Sequence, residues 1–213
     1  MPPESPNALP SRAATRNLSF AHAWQAEILE RPPLIAPARQ YVYPQAVEEV
    51  ERGALLLHVT PPNATPFLAT FALGFQAPTL PHGLWACPNP QQLCAVAGGY
   101  AFVVNAQQPE QWQQIVYRPV TDIFVALRHR LLLFAGFHAI CALGENGLAW
   151  ETQRLSWEGL RIPHQQPDSD TLEGLGWDLH TDTEVAFSVN LRTGHHTGGA
   201  FVSDASSPPA TQR

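Results

Sequence analysis

The sequence repeats a hairpin-like pattern, and this limits the folds open to it. Leu93-Cys94-Ala95-Val96, Gly98-Gly99 and Tyr100-Ala101-Phe102 are echoed by Ile140-Cys141-Ala142-Leu143, Asn146-Gly147 and Leu148-Ala149-Trp150. Each copy reads as apolar strand, glycine turn, apolar strand. A spacing of about 45–50 residues is that of blade-like and other stacked β units. It describes construction and names no reaction.

The rest of the chain extends this pattern. Residues 55–59 and 67–71 form a second apolar hairpin around Pro61-Pro62-Asn63-Ala64, a composition typical of turns between strands. Further short strands are expected at 41–43, 120–127, 131–135, 160–162, 172–177 and 184–191, with Thr193-Gly194 turning the last of these into His195-His196. Asn146-Gly147 is expected to supply the central pair of a two-residue turn. Two short helices are expected before the β region. In one, Ser19 caps a segment whose Phe20, Trp24 and Ile28 recur every four residues; the other covers 44–52. Residues 109–114 read as one helical turn and 75–92 as a long Pro/Gly-rich loop.

The expected organisation is a disordered arm over 1–18, a single β-rich domain over 19–202 and a disordered tail over 203–213, both ends being rich in Pro, Ser and Ala. The fold class is all-β: an antiparallel sandwich or propeller-like stack of hairpins with one or two short N-terminal helices.

Residues 142–150 resemble the strand-turn-strand core of propeller blades of the quinoprotein type, and Asn190-Leu191-Arg192-Thr193-Gly194 is similar to the blade turn of those repeats. The resemblance implies antiparallel β architecture. It carries no cofactor and no active site to this chain.

Composition narrows the functional classes. Charged residues make up 14% of the chain and the net charge is −6, which removes the phosphate attraction behind sequence-independent nucleic-acid binding. All 12 basic residues are Arg, a vocabulary expected of a GC-rich, bacterial-like genome. No run approaches the ~20 apolar residues of a membrane span and no signal peptide is visible. Three cysteines, Cys87, Cys94 and Cys141, cannot all pair with one another. The odd count favours a reducing compartment and a cytoplasmic location.

Candidate chemistry is sparse. Asp178, His180, Asp182 and Glu184 alternate through one segment and, with His195 or His196 recruited across a hairpin, could ligate a metal for hydrolysis. The calcium-loop pattern is not met, because Thr183 and Val189 stand where a glycine and a bidentate Glu are required. His82, Cys87 and Cys94 are ligand types at intervals wider than structural zinc sites use. Ser156 lacks the preceding glycine of a nucleophile elbow. Trp150, Trp157 and Trp177 lie in or beside turns, where they could line a groove for a sugar or a flat ligand.

The expectation is a non-enzymatic β-rich binding or assembly module with a protein partner or self-association, and with no cofactor, nucleic acid or membrane. The alternatives are a metal-assisted hydrolase using residues 178–184 with His195 or His196, and a carbohydrate-binding module using the three tryptophans.

Overall fold

The computed structural model describes residues 14–45, 50, 52–163 and 169–200. Four mostly antiparallel sheets account for its architecture. Sheet I contains β2 (Gln25–Leu29), β3 (Arg39–Tyr43), β4 (Ala54–Thr60) and β5 (Phe67–Ala72), in the order β2-β4-β5-β3. Sheet II is a meander of β6 (Gly83–Ala86), β7 (Gln92–Ala97), β8 (Tyr100–Asn105) and β9 (Trp112–Gln114), with β1 (Thr15–Asn17) added in parallel to β6. Sheet III runs β10 (Asp122–Ala126), β11 (Leu131–Ala135), β12 (Ile140–Gly144) and β13 (Gly147–Glu151). Sheet IV runs β14 (Leu160–Arg161), β15 (Thr171–Asp178), β16 (Thr183–Asn190) and β17 (His196–Gly198).

The burial patterns show how the sheets stack. A strand covered on both faces is apolar throughout, whereas one covered on a single face alternates. In sheets II and III, β6, β11 and β12 are buried at every position, β7 at every position but its first and β8 at every position but its two ends. In sheets I and IV, β4 and β15 alternate. Sheet III explains the difference. Leu132, Phe134, Cys141 and Leu143 join one apolar cluster with sheets I and II, while Leu131, Leu133, Ala135, Ile140 and Ala142 join a second with sheet IV. The order is therefore I–II–III–IV, a propeller-like stack with two interior and two terminal layers.

Side chains fasten one layer to the next. Within sheet I the Tyr43 ring stacks on Phe71 at 4.9 Å; towards sheet II it meets Trp112 edge-on at 5.6 Å, and its hydroxyl donates to the Pro109 carbonyl at 2.9 Å. Trp24 donates its indole N–H to the Gln92 carbonyl at 3.0 Å.

Several sequence expectations need correction. The segment carrying Trp24 and Ile28 is no helix: residues 25–29 form β2. Four-residue spacing is also an even spacing, so it places side chains on one face of a strand as readily as on one face of a helix. The second expected helix, over 44–52, falls largely outside the described residues. Residues 112–114 form β9 and not a helical turn, and the loop over 75–92 contains β6. Residues 15–17, expected within a disordered arm, form β1; residues 1–13 and the tail from 203 lie outside the described residues.

The echo is real as hairpins but shifted within the sheets. Its first copy joins the second and third strands of the sheet II meander, and its second copy joins the third and fourth of sheet III. The second turn also differs from expectation. Gly144 pairs with Gly147, so Glu145-Asn146 are the turn's central residues, and only Gly147 takes a positive φ, +108°. The register then slips between Ala142 and Leu143, the mark of a β-bulge.

Candidate binding sites

The proposed metal ligands occupy the two ends of β16. Asp178, His180 and Asp182 belong to the tip joining β15 to β16, whereas His195 follows β16 and donates nothing to that tip; its carbonyl accepts from Asn190 N–H at 2.8 Å. Eight strand residues rising ~3.4 Å each separate the two groups by roughly 24 Å. Among the described residues, no group of three or more His, Cys, Asp or Glu is placed to hold a metal.

Asp178 has a structural role in the tip. Its carboxylate accepts from Thr181 Oγ1 at 2.8 Å and from the His180 backbone N–H at 3.3 Å. The Thr181 hydroxyl bond is the main reason its pKa is lowered, and its burial opposes this. Asp182 takes a positive φ of +55° at the turn, a conformation Asp tolerates better than most residues. At the other end, His195 and His196 line an open cleft with Glu151, Gln153 and Thr197, and His196 Nδ1 lies 3.2 Å from the Gly198 carbonyl.

The cysteines are free and buried. Burial raises the pKa of all three thiols, that of Cys141 to about 12. A neutral thiol in a dry interior is the opposite of what a zinc ligand or nucleophile requires. Ser156 is likewise fully buried, and its Oγ accepts from Glu158 N–H at 3.1 Å and Trp177 N–H at 2.8 Å. It is a local brace for two backbone segments.

The three candidate tryptophans divide. Trp150 is buried and donates its indole N–H to the Leu191 carbonyl at 2.9 Å, so it belongs to the core. Trp157 is half-buried, with the Arg154 guanidinium 4.1 Å above its ring and His180 edge-on at 5.9 Å. Trp177 lies on the outer face of sheet IV. There it lines a groove of about 410 Å³ with Leu160, Leu175, Glu158 and the Arg161–Glu184 ion pair, whose N–O distance is 2.6 Å.

Sequence reasoning missed a second groove, of about 520 Å³, where connections of sheets II, III and IV meet. Phe75, Leu80, Pro119, Phe137 and Leu160 form its apolar lining. Phe75 and Phe137 are 42% and 47% exposed, although both are large aromatics. The Thr121 hydroxyl beside them is spent on the Ala135 and Gly136 carbonyls, at 3.1 and 3.3 Å. The available signal was local: each phenylalanine directly follows a glycine just past a strand, at Gly74-Phe75 and Gly136-Phe137.

No protein-family model matches this chain, and no curated protein matches it. Among the described residues, no helix is long and apolar enough to cross a membrane.

Proposed function

We propose that this protein is a non-enzymatic β-rich module that acts by binding a protein partner or by assembling with itself. The observation that carries this reading is the groove between Phe75 and Phe137. Two large aromatics held half in water line an apolar concavity at the meeting point of three sheets. Exposed apolar surface of this kind marks interaction sites. Its lining supplies shape and hydrophobicity and carries no charged side chain.

Three free, buried thiols support a reducing, cytoplasmic setting. The net charge of −6 argues against nucleic acid as the partner.

The test is binding of an apolar fluorescent dye, anilinonaphthalene sulfonate, to the folded protein. Dye fluorescence is expected to rise with wild type and to fall at least several-fold with F137D or F75D while circular dichroism stays unchanged. Equal fluorescence from all three proteins would count decisively against the groove.

A second reading, carbohydrate binding, is favoured by Trp177. Its ring is flanked by Arg161, Glu184 and Glu158 on the outer face of sheet IV. An aromatic platform with polar groups around it suits the apolar face and hydroxyl rim of a sugar. Soluble glycans should then perturb tryptophan emission in wild type and not in W177A. Trp150 is left out of this reading because it is committed to the core.

A further inference from the structure

Two arginines from different sheets meet in a small cleft between sheets III and IV. One side of it is the 3-10 turn Leu127–His129 that joins β10 to β11; the other is Leu191-Arg192, where the chain leaves β16. Arg128, His129, Leu131, Leu191 and Arg192 line a cavity of about 240 Å³. Three of these five carry basic side chains and none is an acid, on a chain whose net charge is −6.

Backbone contacts fix both sides. Leu191 N–H donates to the Asp170 carbonyl at 2.9 Å, and Arg130 N–H closes the 3-10 turn onto the Leu127 carbonyl at 3.0 Å. Asn190 Oδ1 accepts from the backbone N–H groups of Arg192 and Thr193 at 2.9 and 3.2 Å. Leu131 and Leu191 are buried, and an apolar backing strengthens any ion pair made against it.

The polar side chains gather at one carboxylate. Asp170 Oδ1 stands 3.0 Å from His129 Nε2 and 3.5 Å from Arg128 Nη1. The His129 side chain is only 6% exposed, yet its Nε2 makes no aligned hydrogen bond, because Asp170 lies off the N–H axis. The Arg128–Asp170 contact is longer than the roughly 2.7–2.9 Å of a charge-assisted hydrogen bond, and both side chains are half exposed. Arg130 is engaged elsewhere, with Glu145 at 2.9 Å. Arg192 is exposed, and among the described residues its guanidinium has no hydrogen bond or ion pair. Two guanidinium groups therefore face one carboxylate, which leaves the cleft positive.

We propose that this cleft binds a phosphate group, with Arg128 and Arg192 as its donors and Asp170 as a positioning residue for Arg128. Each guanidinium presents a planar fork of N–H groups. The two oxygens of a carboxylate are used up by one fork, whereas the terminal oxygens of a phosphate can meet two forks reaching in from different sheets. Two arginines supply contacts for one phosphate and not the long series that a nucleic-acid backbone requires. The phosphate is either the free ion or a group carried on a serine, and both present the same oxygens.

Isothermal titration calorimetry on the full chain at low salt tests this with three probes: inorganic phosphate, end-blocked phosphoserine and acetate. Wild type is expected to bind phosphate saturably, and acetate about tenfold more weakly or worse. R192A and R128A should each weaken phosphate about tenfold or more, while R16A, which removes an exposed arginine on β1, binds as wild type does. Without phosphate, R192A should melt at the wild-type temperature; with phosphate, wild type alone of the two should gain stability. Tighter binding of phosphoserine than of phosphate assigns the group to a modified side chain, the reverse assigns it to the free ion, and both uphold the site. The proposal is overturned if wild type binds neither phosphate compound, if R192A binds as well as wild type, or if R16A loses as much as R192A. R192A alone decides if R128A loses its circular dichroism spectrum.

Discussion

The indole N–H of Trp150 donates to the carbonyl oxygen of Leu191 at 2.9 Å, and the Trp150 ring lies directly against Gly194. This one side chain of sheet III thereby closes off the end of β16 and the turn that follows it. A Cβ added at Gly194 would stand 2.7 Å from the ring. Gly194→Ala is therefore expected to destabilise the fold by about 1–3 kcal/mol through overpacking. Trp150→Phe, which strands the Leu191 carbonyl, should cost about 1–3 kcal/mol, and Trp150→Ala about 3–5 kcal/mol. Urea denaturation of the three variants checks the order; an Ala variant as stable as wild type would contradict the packing described.

Ser156 holds two backbone N–H groups with one buried oxygen. Ser156→Ala leaves both donors without that partner and is expected to lose about 1–3 kcal/mol. The local readout is amide hydrogen exchange, which should accelerate at Glu158 and Trp177 ahead of the rest of sheet IV.

The buried thiols make the protein sensitive to alkali. Cys141 keeps its proton in the fold up to about pH 12, owing to burial first and to the Glu151 carboxylate second. An unfolded thiol ionises near ~8.5. The neutral form thus contributes stability that is complete below about pH 8.5 and is lost as pH rises from there towards 12. Cys87 and Cys94 act in the same direction. Melting temperature should fall across that window, and Cys141→Ala should flatten the fall. Native protein should also resist alkylation that the urea-unfolded chain undergoes readily.

The Asp178 tip has the opposite dependence. Its pKa is lowered chiefly by the Thr181 hydroxyl, so its contribution is present above the ordinary Asp value of ~3.9 and fades as pH falls below it. Asp178→Asn should lower the melting temperature at neutral pH and narrow its deficit near pH 3. Added calcium or zinc should leave wild-type melting unchanged, because His195 is at the far end of β16.

Gly83 is where β1 is held. A Cβ built there would lie 1.9 Å from the Thr15 carbonyl oxygen, and its φ is +146°, a region L side chains rarely enter. Gly83→Ala is expected to displace β1 and expose the edge of β6. Faster hydrogen exchange at residues 15–17 and 83–86, with sheets III and IV unaffected, would show it.

The strands of sheets II and III were legible because burial on both faces leaves an unbroken apolar run, as in residues 93–97 and 131–135. β1, β6 and β9 were not, since strands of three or four residues exist only through the neighbour they pair with. β2 was hidden by a spacing common to both regular structures. The candidate sites were harder to read. Alternating Asp178, His180 and Asp182 suggested convergence, yet strand direction carries His195 away from them. The groove is assembled from four separate connections, and no window of sequence contains it.

The layering sets where the molecule can come apart. Sheet III loses contacts on two sides if it opens and sheet IV on one, so opening should begin with the outermost layers and travel inward. Amides of β11 and β12 should then exchange last of all. The chain would behave less like a single drop of oil than like a short column of plates, with its weakest points at the top and bottom.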